Sequence, residues 1–142
     1  MKLRHDVDVD TLNARGAGRL PGWFGLKVVR VDQRELAMHL QIQPQMLAPN
    51  GFLHAASIIA LADTACGFAT IAHLPDGAES FTTIELKCNF LGTATEGLVE
   101  AVACGAHLGR TTQVWDAKVI EAAGGRTLAL FRCTQMILWP RR

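Results

Sequence analysis

At 142 residues the chain is long enough to bury one sizeable core and short for two, so a single domain over 1–142 is expected. Apolar residues make up 49% and charged residues 19%, inside the globular range and far from disorder. The net charge of +1, without a basic stripe interleaved with aromatics, gives no footing to nucleic acid or an anionic membrane as a partner.

The opening MKLRHDVDVD is charged and lacks the apolar run of a signal peptide. The four cysteines, Cys66, Cys88, Cys104 and Cys133, form no CxxC pair. A reduced, cytoplasmic compartment follows as an expectation, with the thiols as small core fillers.

Residues 8–18 predict a short, weak helix with Asp in its first turn, ended by Gly16, Gly18, Pro21 and Gly22. Helix and lead-in occupy 1–22. Residues 24–31 and 35–42 then alternate, with Leu36, Met38, Leu40 and Ile42 on one face and Glu35, His39 and Gln41 on the other. This predicts a hairpin turning near Asp32–Arg34. A loop holding Pro44 and Pro49 leads into PNGFLHAASIIALADTACG, which reads as an apolar helix from about His54 to His73, stopped by LPDGAES.

Four more strand-like runs follow. In FTTIELKCNF, Thr82, Ile84, Leu86, Cys88 and Phe90 alternate with Thr83, Glu85, Lys87 and Asn89. LVEAVACGAH is small on both faces, so something large must pack closely on it. TTQVWDAKVI and TLALFRCTQMIL are joined at Gly124–Gly125, which suits a hairpin turn.

Residues 51–74 are apolar enough to be tested as a membrane span, which needs about 20 residues. His54, Ser57, Asp63, Thr64 and Thr70 interrupt the run, and no basic or aromatic anchors flank it. A helix apolar on all sides also suits the centre of a soluble fold. Its length of about 30 Å matches strands of about ten residues. The expected class is α+β: a curled antiparallel sheet wrapped around one long helix, with one edge or face of the sheet still needing a partner.

Asp63 is the residue such a helix must account for, because a buried carboxylate is costly unless paired or used. His54 and Asp63 stand nine residues apart. At 100° per residue they point to opposite sides of the helix, about 13.5 Å apart along it. One reacting atom can meet both only if two chains each supply one, as in a two-fold dimer with antiparallel helices. The helix start adds outward N–H groups near Ala55 and Ala56 that favour a developing oxyanion. The reaction class suggested is acyl transfer to water. Ser57 does not complete a hydrolase triad, since there is no GxSxG elbow and His54 and Asp63 diverge. His39, His73 and His107 lack metal-ligand spacing, so no zinc site is expected.

Asn50-Gly51, His54, Ala55-Ala56 and Leu61-Ala62-Asp63, with TIELKCNFL and HLGRTTQVW, resemble the motifs of the PaaI-like (phenylacetate-pathway type) hotdog-fold acyl-CoA thioesterases. The resemblance runs from LNARGAGRLPGWFGL through the final strand. It implies that Asp63 is the catalytic carboxylate, as nucleophile or general base, and that the Ala55 N–H meets the thioester oxygen. His54 and Asn50 would help fix thioester and water. Gly109, Arg110 and Thr111 would meet the phosphates of CoA, with Gly67, Thr83 and Asn89 as further contacts to substrate. It further implies a homotetramer built as a dimer of dimers, with no metal and no cofactor, CoA being part of the substrate.

Two positions depart from the family pattern. Ala55 and Ala56 replace paired glycines, keeping the N–H while narrowing the thioester channel, and Gly67 stands where some relatives carry a hydroxyl that holds water. Two rivals remain at this stage: an acyl-CoA-binding or regulatory module without turnover, and an enoyl-CoA hydratase on the same fold.

Overall fold

In the computed structural model, which describes residues 2–141, six antiparallel strands form one sheet and a long helix lies against it. The elements run α1 (Val9–Gly16), α2 (Leu20–Trp23), β1 (Lys27–Asp32), β2 (Glu35–Gln41), a 3-10 turn (Pro44–Met46) and α3 (Ala55–Ala72). Then come β3 (Ser80–Phe90), β4 (Leu98–Leu108), β5 (Thr112–Glu121) and β6 (Thr127–Leu138). The sheet order β1-β2-β4-β5-β6-β3 sends β3 to the far edge, beside β6. This is the α+β hotdog architecture expected from the sequence.

The N-terminal helix is better anchored than its sequence promised. Asp8 and Thr11 form a capping box, and Leu12 is fully buried. The Pro21–Gly22 segment, expected only to break structure, builds the one-turn α2. Pro21 sits in its first turn, where a missing N–H costs nothing. A Cβ on Gly22 would lie 2.5 Å from the Gly16 carbonyl oxygen, so only glycine permits this close return.

The apolar character of α3 is spent against the sheet. Ala62, Ala65, Cys66 and Ala69 are fully buried, and Ala101 and Ala103 of β4 are buried too. Small residues on both elements bring helix and strand close, which answers the puzzle of LVEAVACGAH. Leu36, Met38 and Leu40 of β2 and Trp115 and Val119 of β5 complete the core. Only Cys66 and Cys133 act as buried fillers; Cys88 is half-buried and Cys104 exposed, because β4 turns it to the outer face.

The alternation read along β3 does not hold through the strand. Phe81 and Thr83 pair with Ile137 and Gln135, but a bulge between Thr83 and Glu85 inserts one residue. Beyond it Leu86, Cys88 and Phe90 pair with Cys133, Phe131 and Ala129, on the helix side. Thr82 therefore shares the outer face with Glu85, Lys87 and Asn89, since one extra residue flips every later side chain. The sheet curls over the helix and leaves its β3 edge open. Nine of the eleven residues of β3 are exposed and none is buried.

Candidate active site

The start of α3 is built by its preceding loop. Asn50 Oδ1 accepts from the Phe52 N–H (3.2 Å), an Asx turn in which Gly51 takes φ +88°. The Leu53 N–H donates to the Ala94 carbonyl (2.7 Å) and the His54 N–H to that of Met46 (3.0 Å). Ser57 Oγ donates to the same Met46 carbonyl (2.8 Å), so Ser57 is a buried anchor.

His54 is the N-cap. Its Nδ1 accepts from the Ala56 N–H (2.9 Å), so the neutral ring carries its proton on Nε2. The Ser57 and Ile58 N–H groups go to the His54 carbonyl, and among the described residues no acceptor meets the Ala55 N–H. The exposed end of the helix thus offers the Ala55 N–H and His54 Nε2–H, with the Asn50 side-chain amide nearby in the chain. Donors of this kind can hold a carbonyl oxygen as it becomes an oxyanion.

Asp63 lies elsewhere. It belongs to a half-open stripe of α3 with Ile59, Ala60 and Thr64. Its Oδ1 is buried with no hydrogen-bond partner among the described residues, and burial pushes the carboxyl above its ordinary value. A costly, unspent carboxylate has been kept in the one stripe the sheet leaves uncovered. One turn on, Gly67 lies under the ring of Phe81, whose Cζ would sit 3.1 Å from an added Cβ. Phe81 fills the room a hydroxyl at 67 would need.

The remaining predicted residues are spread over the fold. Thr83, on the helix side of β3, donates through Oγ1 to Gln135 Oε1 (2.8 Å). Asn89 falls on the outer face, away from α3. Gly109, Arg110 and Thr111 form the β4–β5 turn. There the Gly109 N–H donates to the Thr112 carbonyl (2.9 Å) and the Thr111 carbonyl accepts from the Ile137 N–H (2.9 Å).

This turn sits by the C-terminal end of α3, because Gln113 beside it donates to the His73 carbonyl (2.8 Å). The turn and His54 are therefore separated by roughly the helix length, about 27 Å at 1.5 Å per residue. Within one subunit the structure gathers Asn50, His54 and Ala55, but brings neither Asp63 nor the 109–111 turn to them. Sequence reasoning passed over Phe81, hidden in an alternating strand, and Trp139, which follows the last strand. The Arg110 guanidinium stacks 4.0 Å above the Trp139 ring.

Among the described residues, no three His, Cys, Asp or Glu side chains gather as a metal ion would require.

Residues 50–128 match the model of the thioesterase superfamily. The chain is 30% identical over 120 residues to the 1,4-dihydroxy-2-naphthoyl-CoA hydrolase of Listeria monocytogenes, spanning 84% of this chain and 95% of that one. It superposes on thioesterase PA1618 of Pseudomonas aeruginosa with a TM-score of 0.90 and 26% identity, covering 97% of this chain and 99% of that one. The PaaI protein of the Escherichia coli phenylacetic acid degradation operon shares the fold, with a TM-score of 0.80, 21% identity and 90% of each chain covered.

Proposed function

This chain belongs to the thioesterase superfamily, and from that premise we propose that it cleaves an aryl-CoA thioester at a site shared by two subunits. It is an acyl-CoA thioesterase, a hydrolase that releases the free acid and CoA. The observation that carries the site assignment is Asp63: a buried carboxylate oxygen without a partner, on the uncovered stripe of α3. A group so placed is expensive to keep, and a desolvated carboxyl suits chemistry better than structure.

Asp63 works opposite His54 and the Ala55 N–H of a second copy, which removes the mismatch of their positions on one helix. The exposed edge strand β3, with Leu86 and Phe90 on its helix side 41% and 44% exposed, supports a two-fold pairing along this edge. Two such dimers form a tetramer, and the enzyme works in the cytoplasm.

In the reaction, water attacks the thioester carbon while Asp63 takes its proton. The Ala55 N–H and His54 Nε2–H hold the oxyanion. Collapse breaks the C–S bond, and the proton returns to the leaving sulfur. If Asp63 attacks instead, a mixed anhydride forms and water opens it in a second step. In a single turnover in 18O-water, label in the Asp63 carboxylate marks the anhydride course with water attacking the aspartyl carbon. The aryl preference rests on the naphthoyl-CoA relative and on the Phe81, Leu86 and Phe90 wall.

The test is thiol release from aryl- and alkyl-CoA thioesters by wild type and the Asp63→Ala and Asp63→Asn variants. Light scattering of the eluting protein reports the assembly. Turnover undiminished in both variants would remove Asp63 from the chemistry.

A further inference from the structure

Trp139 follows β6 directly, and Pro140, lacking an N–H, ends the strand pattern behind it. The ring settles over Gly77, where an added Cβ would be 3.7 Å from Trp139 Cζ3, and its indole N–H is buried without an acceptor. Packing, not a hydrogen bond, holds the ring in place, and the service it performs lies on its face. There the Arg110 guanidinium rests, 4.0 Å from the ring centre.

Arg110 differs from the chain's other well-placed arginines. Arg4 is paired with Asp6, Arg30 with Asp32, Arg126 with Glu121 and Arg132 with Asp116. Among the described residues Arg110 meets no carboxylate and no carbonyl, only the Trp139 ring. Stacking uses the face of the guanidinium and leaves its N–H donors free at the edge, the geometry that recognises a phosphate. The turn beneath is closely packed: a Cβ on Gly109 would strike His107 Nε2 at 2.6 Å and the Thr112 carbonyl oxygen at 2.8 Å.

We propose that Trp139 is a positioning residue for substrate binding: its ring holds Arg110 extended from the 109–111 turn so that the guanidinium edge meets a phosphate at the nucleotide end of coenzyme A. The inference rests on the acyl-CoA reading of the site. It makes the residue that follows the last strand part of the recognition of the substrate's nucleotide end, and it predicts that Trp139 acts on KM, through Arg110, and leaves kcat alone.

The experiment compares benzoyl-CoA with the N-acetylcysteamine thioester of benzoate, which has no phosphate. The proteins are wild type, Trp139→Leu, Trp139→Phe, Arg110→Ala and the Leu–Ala double variant, each checked for an unchanged melting curve. Losing an exposed cation–π contact raises KM for benzoyl-CoA roughly 2- to 5-fold in Trp139→Leu. The same variant keeps its kcat and its KM for the short thioester. Trp139→Phe recovers most of the loss, and Trp139→Leu adds nothing once Arg110 is alanine.

An unchanged KM in Trp139→Leu, equal shifts on both thioesters, or a full effect persisting without Arg110 overturns the proposal. If Arg110→Ala leaves KM intact, the inference falls while the thioesterase reading stands. If wild type hydrolyses neither thioester and calorimetry shows no binding of CoA itself, the reading of the site falls and the inference with it.

Discussion

Replacing Asp63 by asparagine exchanges one oxygen for nitrogen, keeps the volume and removes the group able to take a proton. General-base catalysis contributes about 10²- to 10⁴-fold, or roughly 2.7–5.4 kcal/mol at 1.36 kcal/mol per decade. The same change removes a charge from the folded state, where burial disfavours the ionised carboxyl. The amide leaves a buried polar atom unpaired but carries no charge to desolvate, so we expect about 1 kcal/mol of stabilisation and a melting temperature higher by about 3 °C.

The pH dependence gives the sharper test. Burial raises the folded carboxyl above the about 3.9 of an unfolded chain, so the unfolded state loses its proton first. Wild-type stability therefore falls as pH rises from about 4 through the folded value and then levels off. The Asn variant has no such proton, so its advantage is full at neutral pH and vanishes near about pH 4. Thiol release and thermal melts across this range measure both halves. An Asn variant that keeps a tenth of wild-type activity, or that melts lower than wild type at neutral pH, refutes the assignment of an unspent, reactive carboxylate.

His54→Ala removes the Nδ1 acceptor of the Ala56 N–H and should cost about 1 kcal/mol. His54→Asn restores the cap and the melting temperature but not kcat/KM, which separates the two roles of this residue. Gly109→Ala forces a Cβ against the Thr112 carbonyl and should cost about 1–3 kcal/mol while raising KM for acyl-CoA. An unaltered KM counts against a phosphate-binding turn. His73 is fully buried, its Nε2 accepting the Arg34 N–H (2.9 Å) and its other nitrogen meeting the Ala69 carbonyl (2.8 Å). Burial lowers its pKa, so the unfolded chain binds the proton more readily, and stability is lost as pH falls through about 6.5 towards the folded value. Urea midpoints at pH 7.5 and 5.5 in the Asp63→Asn background, free of the opposing carboxyl, should drop at the lower pH; equal midpoints would contradict the neutral, hydrogen-bonded ring.

The sequence by itself determined the long helix and the strands, because their signals are local. Period-two alternation marked β2, an apolar run between Gly51 and Pro75 marked α3, and Gly124–Gly125 marked the last hairpin turn. It also singled out Asp63, since an acid inside so apolar a helix stands out on composition alone, and the nine-residue spacing from His54 left two readings, unrelated residues or a site shared by two chains. Tertiary structure decided the rest. The bulge in β3 re-phased Asn89 to the outer face, and no periodicity in FTTIELKCNF announces it. The sheet order placed β3 at an edge, where its helix-side residues stay uncovered, because strand neighbours depend on packing over the whole sheet. Phe81 over Gly67 and Arg110 on Trp139 are contacts across 14 and 29 positions of sequence. Distances of that kind are set only when the chain closes on its core, and there Trp139 acquired its partner.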